Sequence, residues 1–403
     1  MAVKNIGLAL SGGGFRAAVY HMGVLARLAE SNLLEQVKAI STVSGGSLGT
    51  GLIFALNGFR WPTSREYRET VLPRAREHII TQDLQSDLIS RVLYAVVTLQ
   101  WGALLTRADD LSQLLRRRWG INIPLSQLPD RPRWYINATC YETAKNWRFE
   151  KNRLGDYVYG YTRTTDRIRL SDALAASAGF PGLVGALALD TTRHEWARWG
   201  AADDEVPGEA ADLAPRGLRP REYPRVHLWD GGVYDNNGLE VFHDFDQPRW
   251  QRGVDFLVVS DASGPTRPER YAIGTRAILR IITGVMMPQI RSLRARAVVG
   301  LMRQPDTKAR GAYLHIGNTC AQVLTKARVK PRVVARRQAG CLPADVVART
   351  ESLQTAIRRL SPEEFQTVFR HGFEVADYTL VAYHPRDFKY LGYLRSRWPA
   401  IVP

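Results

Sequence analysis

Ile6-Gly7-Leu8-Ala9-Leu10-Ser11-Gly12-Gly13-Gly14-Phe15-Arg16 passes from an apolar run through three glycines into residues that continue at helical spacing. Ile6 to Leu10 predicts a buried strand and Phe15 to Glu30 a helix, giving strand, glycine turn, helix. Val37 to Val43 starts the same pattern again and runs into Ser44-Gly45-Gly46-Ser47, followed by Leu48, Leu52, Ile53 and Leu56. This places Ser44 on a sharp strand-to-helix turn with its hydroxyl exposed. Glycine-ended strands alternating with helices predict an α/β fold with a mostly parallel sheet.

The residue types carry a chemical logic. A serine hydroxyl is a poor nucleophile until a base takes its proton, and the oxyanion it creates needs preorganised donors. Backbone amides of a glycine run that opens a helix can supply them, because the helix N-terminus favours negative charge. The turn Thr42, Val43, Ser44, Gly45, Gly46 departs from a GxSxG elbow at Thr42, where the first glycine would stand. Taken alone, Ser-Gly-Gly-Ser is also ordinary loop sequence. Far downstream, Val226 to Trp229 predicts another short strand and ends in Asp230-Gly231-Gly232. Asp-Gly is first of all a turn dipeptide, but two glycines also let a carboxylate enter a cleft without steric shielding. The three motifs, each at the end of an apolar run, form a stronger signal than any one of them.

With Ser11 to Arg16, Val43-Ser44-Gly45-Gly46 and Asp230-Gly231-Gly232 together, the chain resembles the patatin-like phospholipases. Ile136 to Thr139 and Ala175 to Gly182 are softer matches. The resemblance covers roughly residues 5 to 263. It implies a three-layer α/β sandwich and a Ser44–Asp230 dyad acting without histidine on acyl esters of membrane phospholipids, as a phospholipase A-type lipid acyl hydrolase. It places the oxyanion hole within Gly12, Gly13, Gly14, Phe15 and Arg16, with Arg16 either orienting a phosphate or shaping the loop. Such a mechanism needs no cofactor and no metal.

Other chemistries fit parts of the pattern. Gly12-x-Gly14-x-x-Ala17 matches a shortened dinucleotide fingerprint, but the acid at the expected distance, Glu35, precedes the second strand. A Ser-His-Asp esterase would use His371 or His384, both after Asp230 in the order such enzymes require. A ligand-activated effector that degrades membrane, and a lipid-binding signalling protein on the same scaffold, are further alternatives; the intact Ser44 and Asp230 speak against loss of turnover.

At 403 residues and 45% hydrophobic content the chain can bury a large core. The expected division is a catalytic domain over 1–263, interrupted by a Pro- and Gly-rich surface excursion at about 190–225, and a mainly helical basic extension over 264–403. Cys140, Cys320 and Cys341 are too few and too scattered to suggest a disulfide framework or metal cluster, and the N-terminus does not read as a signal peptide. Val92 to Thr106 is uncharged but short of a membrane span; burial is favoured over a lid that touches membrane.

Residues 271–340 hold 14 Lys or Arg and one acid, Asp306, which accounts for +13 of the chain's +16. An apolar stripe of Ile278, Ile281, Ile282, Val285 and Met286 runs among those arginines. This favours an anionic membrane surface as partner and a cytoplasmic protein that associates peripherally with membrane when active. A subunit interface, as in a homo-oligomer, and a phosphate-bearing activator are the other readings of the charge. Nucleic acid is disfavoured, since no recognition module accompanies the arginines.

Overall fold

The two strand, glycine, helix units lie side by side: β1 (Ile6–Leu10) pairs in parallel with β2 (Val37–Val43), and they lead into α1 (Gly14–Ala29) and α2 (Gly45–Leu56). The computed structural model describes residues 3–97, 107–181, 184–197, 223–245, 247–266, 268–304, 307–398 and 401. The question posed by Val92 to Thr106 lies outside the described residues from 98 onward, and the excursion at about 190–225 does so over 198–222.

Outward from β1 lie β9 (Phe256–Asp261) and β10 (Arg310–His315), and outward from β2 lies β3 (Arg133–Cys140), all parallel. Beyond β3 the sheet turns antiparallel through β4 (Lys145–Phe149), β5 (Leu154–Asp156) and β6 (Gly160–Thr162). β7 (Leu187–Asp190) and β8 (Arg225–Asp230) form a hairpin-like pair that joins β3 through β8. The architecture is mixed α/β with a mostly parallel central sheet and a helical C-terminal part.

Side-chain alternation sorts the parallel centre onto two faces. Leu8, Leu10, Ile40, Ile136 and Val258 enter one core with α1, α2 and the helix Pro362–Tyr383. Ala9, Ala39, Tyr135, Leu257 and Val259 enter a second core with Phe242, Trp250 and Val298 and Leu301 of the helix Met287–Met302. Sheet between two covering layers is the three-layer arrangement. Residues after 263 thus supply an edge strand and a covering helix on each face, so the boundary drawn there falls between neighbouring strands of one sheet.

The join is tight. Gly23 of α1 and Gly372 face the opposite helix so closely that a methyl group on either would lie 2.1 Å from a carbonyl oxygen. The fully buried Arg27 Nε donates to Asp377 Oδ1 at 2.5 Å, and Asp377 also accepts from the amides of Leu391 and Gly392. Removing one partner of such a buried pair costs about 3–5 kcal/mol, because the other charge is left uncompensated.

One detail of register sets up the site. Val43, the last residue of β2, pairs with Asn137 of β3. The next residue of β3, Ala138, pairs with Asp230 at the end of antiparallel β8. β2 and β8 therefore run toward each other along the same edge of β3 and stop one step apart, which brings Ser44 and Asp230 together.

Candidate active site

Ser44 sits at φ 50°, ψ −118°, a conformation that costs a non-glycine residue on the order of 1–3 kcal/mol. Its surroundings hold it there. The Ser44 amide donates to Ser177 Oγ at 3.0 Å, Ser177 Oγ shares a hydrogen bond with Ser47 Oγ at 2.8 Å, and Ser47 donates to Thr42 Oγ1 at 2.8 Å. Trp134 Nε1 adds a second donor to Thr42 Oγ1 at 2.9 Å. Thr42 is therefore accommodated inside β2 as a satisfied acceptor, and the turn is made after it. Close approach falls to Gly45, where a Cβ would meet Gly14 O at 2.1 Å, and Gly14 itself has φ 63°. A Cβ on Gly46 would likewise meet Leu10 O at 2.4 Å and Ser11 O at 2.8 Å.

Asp230 is buried, and burial raises its carboxyl from the ordinary range to about 6. The Gly232 amide, donating to Oδ1 at 2.7 Å, and the Ser44 hydroxyl both favour the charged form. Oδ2 accepts no hydrogen bond of normal geometry among the described residues, and the Ser44 hydroxyl is the neighbour that bears on the carboxylate. One segment holds both residues: Ser177 O accepts from Gly231 N at 3.3 Å and Gly179 O accepts from Asp230 N at 3.1 Å, while Ser177 Oγ takes the Ser44 amide. Asn137 fastens the adjoining strand ends, donating from Nδ2 to Ser41 Oγ and to Thr42 O, each at 2.9 Å.

The glycine loop closes the other side. Gly12 N donates to Asn236 O at 3.0 Å and Phe15 N to Ala356 O at 2.8 Å, so these two amides are already engaged. The Gly13 and Gly14 amides donate to no acceptor among the described residues, which leaves them as the loop's open donors. The Phe15 ring is buried and stacks on Trp119 at 5.9 Å. Ser44, Asp230 and the glycine loop open into a cleft of about 310 Å³, walled by Ala178, Phe180, Val184, Met287 and Ile357. Its charged lining is Asp230 together with Arg16, Arg280 and Arg291.

A family model of the patatin-like phospholipases matches residues 8–243, more than half of the chain and all three motifs. The chain belongs to the patatin-like phospholipase family. Among solved structures it is similar in fold to human GIVD cytosolic phospholipase A2, at 16% identity and a TM-score of 0.51, over 93% of this chain and 58% of that one. The same human enzyme in complex with methyl gamma-linolenyl fluorophosphonate and terbium chloride matches at 16% identity and a TM-score of 0.48, over 99% and 60%. VipD from Legionella pneumophila matches at 13% and 0.32, over 93% and 66%. The chain spans less than two thirds of the length of each of these. A comparison with curated protein sequences returns no match.

Within this patatin-like site, none of the eight histidines lines the cleft among the described residues. His371 is buried in the Pro362–Tyr383 helix against Tyr20, hydrogen-bonds the Ile316 carbonyl, and is pushed down to about 4 by burial. His384 binds the Gly311 carbonyl at 2.8 Å. His21 is also held neutral: burial lowers it to about 4, Nε2 donates to Ser11 O at 2.9 Å, and Nδ1 accepts from Ser260 at 2.7 Å. It props the strand end beneath the glycine loop.

Arg16 lines the cleft beside the glycine loop. Its guanidinium is buried and donates to Ala262 O, Leu353 O and Thr355 Oγ1, so it shapes the loop by tying it to residues 353–355. Burial, opposed by Glu351 and Asp261, lowers it to about 10. The contributions of Ser177, Trp134 and Asn236 are not legible in the sequence alone, although Ser177 lies within the Ala175 to Gly182 match.

Proposed function

We propose that the protein is a phospholipase A-type lipid acyl hydrolase working through a Ser44–Asp230 dyad on membrane phospholipid or a related acyl ester. The observation that carries this reading is the meeting of β2 and β8, which brings the strained serine beside the buried carboxylate of Asp230.

In the first step Asp230 takes the proton of Ser44 as Oγ attacks the acyl carbonyl, and the amides of Gly13 and Gly14 donate to the oxyanion. Collapse breaks the ester C–O bond. Asp230 returns the proton to the departing alcohol, leaving an acyl-serine. Water then attacks that ester, with Asp230 accepting its proton, and the second collapse releases the fatty acid and restores the Ser44 hydroxyl. A base near 6 suits this work, since it is ionised at neutral pH yet more basic than an exposed carboxylate. The family match and the neutral, remote state of His371 support a base other than histidine. No helix among the described residues is long and apolar enough to cross a membrane, and the reading assigns the protein a peripheral association.

The test is mass-spectrometric product analysis on mixed membrane lipids with the parent protein, Ser44→Ala and Asp230→Ala. Fatty-acid release lost in both folded variants is the expected result and names the substrate. Release persisting in Ser44→Ala would overturn the assignment.

A further inference from the structure

The helix Thr275–Ile281 and the π-helical turn Ile282–Met286 that continues it contain no buried residue. They nevertheless carry Ile278, Leu279, Ile281, Val285 and Met286, each between 43% and 59% exposed, and the chain approaching them bears Tyr271 and Ile273 at 92% and 83%. A helix stripe of this composition ordinarily faces a core, and a contiguous bare one marks an interaction site.

The same element faces the cleft with its other side. Its Arg280, Thr283 and Gly284, with Met287 and Arg291 of the helix that follows, line the cavity that holds Ser44 and Asp230. Ile278, Ile281 and Val285 are each more than half exposed and line no part of that cavity, so one set of side chains is turned to the cleft and another to solvent. The inner side is a wall of the cleft, and the outer side is bare.

Charge decides what covers it. Between Ala262 and Gln304 the sequence has eight arginines and one acid, Glu269. Arg276 and Arg296 are exposed on the helices themselves. A second copy would set eight more arginines against these, and a nucleic acid would leave the isoleucines unburied. An anionic lipid surface satisfies both features, since acyl chains take the apolar side chains and headgroup phosphates take the arginines.

We infer that the outer face of Thr275–Met286, with Tyr271 and Ile273, is the surface by which this protein sits on anionic membrane. Its inner face then places the cleft mouth at the lipid, so that an acyl chain enters without crossing water. That last step rests on the hydrolase reading; the seating does not.

The experiment separates the two. The parent, Ser44→Ala and a triple variant, Ile278→Glu, Ile281→Glu and Val285→Glu, are sedimented with vesicles of phosphatidylcholine alone or mixed with phosphatidylglycerol, and each is assayed on a soluble short-chain ester. The parent and Ser44→Ala are expected to bind the anionic vesicles. The triple variant should bind them about tenfold less or weaker while its soluble-ester hydrolysis and circular dichroism stay at the parent's level. A second variant, Arg276→Glu with Arg296→Glu, should lose the preference for anionic over neutral vesicles. Triple-variant binding equal to the parent's would overturn the inference, as would equal binding of the parent to both vesicle types. A parent dimer that the triple substitution dissociates without loss of vesicle binding would assign the face to a second copy instead. Seating intact in a protein that cleaves no soluble ester would leave this inference standing and remove the hydrolase reading.

Discussion

On one side of the cleft, Ser44 and Gly12 to Gly14 stand at the ends of strands buried on both faces, with Asp230 buried at the end of β8; on the other stands a helix without a buried residue. The first wall is fixed by register, glycine contacts and shared acceptors, so each atom depends on several others. The second is fixed by its inner side alone and is free to vary outside. On the proposed reading, chemistry is placed where the fold is held from several sides, and contact with surroundings where it is held from one.

The strongest way to break this comparison is Asp230→Asn. Hydrolysis of a soluble ester should fall about a thousandfold or more, as expected when a base is removed and the rest of the site kept; a small loss would show that the buried wall does not carry the chemistry. In the parent, kcat/KM should rise with pH through about 6 and level off above it, because only the ionised carboxylate can accept the proton. Next comes Gly45→Ala, whose methyl would meet Gly14 O at 2.1 Å. It should destabilise the fold by about 3 kcal/mol in urea titration, the upper end for overpacking.

Asp230→Asn should also stabilise the protein. A carboxyl whose folded pKa is raised loses stability as pH climbs from its unfolded value through about 6. At pH 8 the asparagine variant should therefore gain on the order of 2–3 kcal/mol in thermal or urea unfolding, and the gain should vanish below pH 4. Ser177→Ala leaves the Ser44 amide without its acceptor and should cost about 1–2 kcal/mol, with kcat reduced more than KM changes. Ile278→Gln on the bare helix should shift stability by no more than about 0.5 kcal/mol. A large loss there would mean that the outer face has a partner within the chain.

What sequence could tell followed from locality. Ile6 to Arg16 and Val37 to Gly46 specify strand, turn and helix through neighbours, and Asp230 was visible because glycines follow a strand end. Ser177 was not, since its worth lies in accepting an amide from Ser44 and offering its own carbonyl to Gly231. Thr42 looked irregular because Trp134 and Ser47, which satisfy it, arrive from other parts of the chain. The arginine-rich stretch announced a basic surface, but its inner face against the cleft depends on how the Met287–Met302 helix covers the sheet. The antiparallel wing beyond β3 carried no pattern as strong as the glycine-ended strands.

The bond from the Phe15 amide to the Ala356 carbonyl joins the start of the glycine loop to a residue near the far end of the chain. Translation therefore delivers the serine long before the parts that brace its loop and wall its cleft. A nascent chain holding Ser44 and even Asp230 still lacks the strand β10, the Met287–Met302 wall and the 355–357 contact. The cleft is therefore complete only once residues 287–302 and 355–357 have folded against the glycine loop, so its assembly is tied to the folding of segments far from Ser44 in sequence.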